Sequence, residues 1–127
     1  MNKMIKLGLF TLGSVVSSVS IANEISSDYL KKEIELAHTQ YIQGSIESGL
    51  YALQALARIL ESDSTSSKLG PNNLSFTYLR IGLLHEKAGS DSKAKPYFNK
   101  AKSSYSGKKI EIPQLKELVS KLDEMRS

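Results

Sequence analysis

Two histidines, His38 and His85, are the side chains best suited to acid–base or metal chemistry at neutral pH. Each falls in a helical pattern with no His, Cys or Asp three or four residues further on, so neither sits in a ready-made ligand pair on one helix face. His85 has Glu86 beside it, but adjacent helix residues point apart. Two readings stay open: the histidines meet across facing helices and hold a metal, or each is an ordinary surface or half-buried side chain. The serines are numerous, yet none stands in a Gly-x-Ser-x-Gly elbow. Glu33 with Glu35, and Asp123 with Glu124, are near-neighbour carboxylates on solvated faces, whereas glycoside hydrolysis needs two carboxylates across a cleft. No glycine-rich loop has the spacing that cradles phosphate. The expectation is a protein that is not an enzyme and carries no metal or cofactor.

The frame around these residues is ordinary in composition. The chain has 127 residues, 40% apolar and 24% charged, with 8 Gly, 3 Pro, no Cys and no Trp, which excludes collagen-like, low-complexity and disulfide-scaffold classes. Its start is distinctive. Lys3 and Lys6 precede an apolar run, Leu7–Val16, and small side chains at Ser20 and Ala22 follow. A basic start, a short apolar middle and a small-residue exit fit a secretory signal, residues 1–22, cleaved after Ala22. The apolar run falls short of the roughly 20 residues that span a bilayer. An uncleaved anchor or a buried N-terminal helix is the other reading. The compact leader is of bacterial type, so the expected destination of domain 23–127 is the periplasm or the outside, with the membrane met only during export. Without the leader's two lysines the balance is 15 basic against 13 acidic residues. That balance and the export give no support to a nucleic-acid partner, and no aromatics are interleaved for base stacking.

Past the leader the apolar residues keep a helical period. Leu30, Ile34, Ala37 and Tyr41 mark a first helix, capped by Ser27 or Asp28 and ended by a left-handed Gly44. Ser45 opens a second, with Ile46, Leu50, Leu53, Leu56, Ala57 and Leu60 on one stripe. Residues 62–73 are loop by composition. Leu74, Tyr78, Ile81, Leu84 or His85, and Ala88 mark a third helix, broken at Gly89. Ser90 and Asp91 start a fourth, with Ala94, Tyr97, Phe98, Ala101 and Tyr105. Pro113 suits the first turn of a fifth, whose stripe is Leu115, Leu118, Val119, Leu122 and Met125. The expected fold is all-α: two antiparallel helical hairpins and a C-terminal capping helix. Gly44 and Gly89 hold matching places 45 residues apart, as in stacked helical repeats.

The second hairpin resembles a tetratricopeptide repeat. Tyr78, the pair Ile81-Gly82, the breaker Gly89, and then Ala94, Phe98 and Ala101 occupy that family's signature places, with Pro96 near the start of the second helix. Small side chains at Gly82 and Ala94 let the paired helices approach, and Phe98 fills the space beside them. The first hairpin is similar in its Leu36-Ala37 pair, Gly44, Gly49 and Leu53, but has Glu33 for the opening aromatic and a large Leu56. The resemblance covers about 28–105 and implies a concave surface that receives an extended peptide or a partner helix. Carried over by motif, its lining is Ile34, His38 and Tyr41 from the first hairpin, and Phe76, Leu79, Leu83 and Lys87 from the second. The other reading of Phe76, Leu79 and Leu83 is core beneath the last helix.

The function expected from this is non-catalytic protein–protein or protein–peptide binding, as an adaptor, assembly factor or accessory subunit. The alternatives are a small periplasmic inhibitor or immunity-type protein, and a cell-wall hydrolase or its modulator. Charge is uneven along the chain: residues 24–75 hold 7 acidic and 4 basic side chains, residues 76–127 hold 11 basic and 6 acidic. Lys93, Lys95, Lys100, Lys102, Lys108 and Lys109 serve solubility or meet an acidic partner.

Overall fold

The computed structural model describes residues 26–62 and 69–126, so the expected leader lies outside the described residues. Five helices follow one another: α1 (Ser27–Gln43), α2 (Ile46–Ser62), α3 (Asn73–Lys87), α4 (Asp91–Ser104) and α5 (Ile112–Arg126). Among the described residues there is no strand. α1 and α2 form one antiparallel hairpin, α3 and α4 the second, and α5 closes the chain. α3 is the hub, packed against α2, α4 and α5.

Local chemistry explains the boundaries, with corrections to the sequence reading. Ser26, one residue earlier than expected, caps α1: its Oγ accepts the Tyr29 N–H at 3.1 Å. Gly44 is not left-handed. Its φ is −87°, and the α1–α2 turn is made by the Gly44 N–H donating to the Gln40 carbonyl at 2.9 Å and by Ser45 Oγ accepting the Ser48 N–H at 3.1 Å. The left-handed break is at Gly89, φ +81°, where the Ser90 N–H reaches back to the His85 carbonyl at 2.8 Å. Ser90 precedes α4, but its side chain makes no capping bond. Asn72 joins the two long connections, donating Nδ2 to the Ser106 carbonyl at 3.2 Å and accepting the Ser106 N–H at 2.6 Å.

The apolar stripes meet in one core. Leu30, Leu53, Leu79, Ile81, Ala101, Leu115 and Val119 are all essentially sealed from solvent. Gly82 faces the Phe98 ring so closely that a Cβ there would lie 2.5 Å from its nearest carbon. Ala94 and Ala101 are buried alongside. Gly49 does the same service between hairpins, since a Cβ would lie 2.8 Å from Leu84 Cδ1. Two buried hydroxyls are satisfied: Ser75 Oγ donates to the Ala101 carbonyl at 2.6 Å and Thr77 Oγ1 to the Asn73 carbonyl at 2.7 Å. Met125 departs from the expected α5 stripe and is 80% exposed. Ten residues after Leu115 the helix has turned about 1,000°, leaving Met125 roughly 80° off the inward direction.

Candidate functional site

α5 lies on the surface where the groove was expected. Leu115 and Val119 point inward and join the same core cluster as Leu79 of α3. On one flank, Lys116, Ser120, Asp123 and Glu124 line a cleft of about 600 Å³ with Tyr41, Ile42, Leu83, Leu84 and Lys87. On the other, Leu122, Met125 and Arg126 line a second cleft of about 340 Å³, with Ile34, His38, Phe76 and Arg80 among the facing residues. The expected lining residues are thus divided. Tyr41, Leu83 and Lys87 face the first cleft; Ile34, His38 and Phe76 face the second. Leu79 is a correction. It is fully buried, part of the core beneath the last helix, because α5 packs onto α3 there.

A cluster of charged side chains holds α5 in this seat. Arg80 of α3, nearly buried amid apolar neighbours, pairs with Asp123 of α5: Nη2 lies 2.7 Å from Oδ1 and Nε 3.4 Å from Oδ2. The same Asp123 Oδ1 lies 3.9 Å from His38 Nδ1 of α1. One turn further on, Arg126 pairs with Glu35 of α1 at 3.2 Å, and near the start of α5 Lys116 pairs with Glu86 of α3 at 3.1 Å. The Arg80 guanidinium also stands 5.9 Å from the centroid of the Tyr41 ring. His38 Nδ1 is buried without a hydrogen-bond partner. Burial, reinforced by the Arg126 and Arg80 charges, holds the His38 pKa below its ordinary value against the opposing pull of Asp123 and Glu35. Burial and the Asp123 carboxylate raise the Tyr41 phenol. What this arrangement does chemically is clasp: the Arg80–Asp123 pair ties the end of α5 to the second hairpin, and the Arg126–Glu35 pair ties it to the first.

A second cluster lies on the opposite side of α3. The Tyr78 hydroxyl donates to Glu61, and burial together with that bond pushes its pKa up to about 12. Tyr97 stacks on His85 at 5.7 Å between ring centroids, and the Lys100 ammonium stands 5.4 Å from the Tyr97 centroid and 5.5 Å from that of Tyr78. Burial, then the Lys93 charge, lowers the His85 pKa. The two histidines therefore occupy separate surroundings, one facing α5 and the other α4. Of the lysines singled out in the basic half, Lys102 pairs with Glu111 at 3.0 Å, while Lys93, Lys95, Lys108 and Lys109 are exposed.

Sequence reasoning missed a third feature. The outer side of the α1–α2 hairpin carries Leu36, 55% exposed, and Tyr51, 75% exposed, on either side of a shallow groove of about 300 Å³. Both residues lie off the inward stripes, and a large apolar side chain at such a position was the available signal. Arg80 likewise gave a signal: a lone cation inside the apolar stretch Tyr78–Leu84 needs a buried partner.

Among the described residues no group of three or more His, Asp or Glu is placed to hold a metal ion, and no helix is long and apolar enough to cross a membrane. Comparison of the chain with family models, curated proteins and solved structures gives no match.

Proposed function

We propose that this chain is an exported, non-catalytic binding module whose helical hairpins present a preformed surface to another protein. The observation that carries the reading is the 600 Å³ cleft between α5 and the ends of α1 and α3. Its apolar wall (Ile42, Leu83, Leu84) supplies contact area, and Tyr41, Lys87 and Lys116 at its edges supply polar groups that set register. A cleft of that volume suits a short extended or helical segment of a partner. The tetratricopeptide-like pattern in 78–101 supports the same use of the first helices of each hairpin. Export through cleavage after Ala22 belongs to this proposal; the mature protein then begins at Asn23.

The test is photocrosslinking in the producing bacterium, with a photoreactive residue at Lys87 and, as a control, at Ser103 on the far side of α4. Both positions are exposed. The expected outcome is one discrete adduct from position 87, weakened by Tyr41→Ala and missing from position 103. Equal or no adducts from the two positions would remove the cleft as a binding site, and a mature N-terminus other than Asn23 would remove the export step.

A further inference from the structure

We infer that proton uptake at His38 releases the C-terminal end of α5, so that acid joins the two clefts into one surface. Three helices bring charge to this place. α1 supplies His38 and Glu35, α3 supplies Arg80, and α5 supplies Asp123 and Arg126. Tyr41 of α1 adds a neutral phenol, 6.3 Å from the His38 ring between centroids. α2 brings only the apolar Leu53 and Leu56 to the cleft that His38 lines. With the imidazole neutral the charges balance: Arg80 pairs with Asp123 at 2.7 Å and Arg126 with Glu35 at 3.2 Å. A protonated His38 sets three cations against those two carboxylates. Its Nδ1 is buried without a hydrogen-bond partner. Asp123 Oδ1, at 3.9 Å, lies beyond hydrogen-bond reach and is already held by Arg80 Nη2. Drawing that carboxylate towards the imidazolium lengthens the Arg80 pair, so a new ion pair forms only by weakening the old one. The His38, Arg80 and Asp123 side chains are 12%, 11% and 13% exposed, so water screens the surplus charge poorly. The depressed His38 pKa agrees in sign with this charge count.

Which piece yields follows from what holds each one. His38 and Arg80 lie within helices that are packed in hairpins. The first half of α5 is anchored by the sealed Leu115 and Val119, whereas its last turns carry Asp123 and Arg126 beside an exposed Met125. Those last turns are tied to the hairpins mainly by the two ion pairs that a proton on His38 disturbs. Swinging them outward hydrates all five charged groups. In the open form His38 then has its ordinary affinity for protons, and in the closed form a lower one. By linkage the open fraction is smallest above pH 6.5 and rises by up to about tenfold per pH unit below it, until the closed form is protonated as well. That the joined clefts then offer a partner a larger surface rests on the binding role proposed above; release of the helix end does not.

The experiment uses the chain expressed from Met1 and purified as the cell leaves it. Because it has no cysteine, spin labels can be placed through Glu47→Cys on α2 and Met125→Cys on α5, both at exposed positions. Electron–electron distances are read in samples frozen between pH 7.5 and pH 5.0. One distance is expected at pH 7.5, and a second, longer one should grow in below pH 6.5. A control pair on the hairpins, Glu47→Cys with Ser103→Cys, should keep its distance throughout. His38→Gln should make the 47–125 distances independent of pH, while His85→Gln should leave the transition in place. The His38 ring-proton resonance of the unlabelled, unsubstituted chain supplies a readout that needs no variant, and it should titrate together with the distance change. A 47–125 distance indifferent to pH overturns the inference. So does a transition that survives His38→Gln, one that runs apart from the His38 resonance, or one that the 47–103 pair shares, which is unfolding of the whole domain. A chain that opens in acid yet gives no crosslinked adduct from position 87 keeps this switch and loses the proposed partner site.

Discussion

Arg80 and Asp123 lie where water reaches little of either charge. Their side chains are 11% and 13% exposed, so removing one partner leaves a largely desolvated charge without its counterion. Asp123→Asn is therefore expected to lower stability by about 2–3 kcal/mol, somewhat under the range for a fully buried pair. The double change Arg80→Met with Asp123→Leu should recover most of that loss in denaturant titrations. His38 adds a pH dependence of definite sign. Its folded pKa lies below 6.5 and its unfolded pKa near that value. Between the two the unfolded chain binds more protons, so stability is full above about pH 6.5 and falls as acid is added, until the folded form is protonated as well. His85 shifts the same way and contributes with the same sign. Melting temperatures should drop from pH 7.5 towards pH 5.5, and His38→Gln should flatten that slope. An unchanged slope in the variant would show that His38 is not the group responsible.

At the scale of the helices, packing of small against large decides the second hairpin. A methyl group at Gly82 would meet the Phe98 ring at 2.5 Å, and that ring is held in the core. Gly82→Ala is expected to cost about 1–3 kcal/mol by overpacking despite its better helix propensity, and Phe98→Leu introduced with it should return part of the loss. Thermal melts of the two single variants and the double variant check this; simple additivity would mean the two sites do not touch. The Gly82–Phe98 approach was legible in the sequence because it is local: two helices of one hairpin, each with a strong period. The same holds for the buried stripes through Leu30, Leu53, Ala94 and Leu115. What could not be read was how α5 sits. Helix period says which side of α5 is apolar, but several apolar surfaces of the hairpins could receive it, and the ion pairs at its observed seat join residues far apart in the chain, 35 with 126 and 80 with 123. For that reason the groove residues Tyr41 and His38 were named together yet face different clefts, and of the two readings open for Leu79, groove wall or core beneath the last helix, the second holds. Gly44 was misread for another reason: a backbone bond from Gly44 to Gln40 and the Ser45 cap make that junction without a left-handed glycine.

For the molecule as a whole, the seat of α5 governs how the surface is divided into two clefts. Its first half is held by Leu115 and Val119, both sealed in the core; its second half is held mainly by the Arg80–Asp123 and Arg126–Glu35 pairs, with Met125 in solvent. Apolar burial and ion pairs differ in what releasing them costs. Opening the first half exposes the core, whereas opening the last two turns exchanges paired charges for hydrated ones and uncovers little apolar area. Local opening should therefore start at the C-terminal end of α5, well below the free energy of global unfolding. Such opening joins the two clefts into one continuous surface running from Phe76 and His38 to Leu83 and Lys87, with Arg80 at its middle. Hydrogen exchange reads this directly. Amides of residues 120–126 should exchange faster than those of 115–119, and with a weaker dependence on denaturant because less surface is exposed. Those of α3 should be slowest. A uniform rate along α5 matching that of α3 would mean that the helix unfolds only with the rest of the domain, and that the two clefts never join.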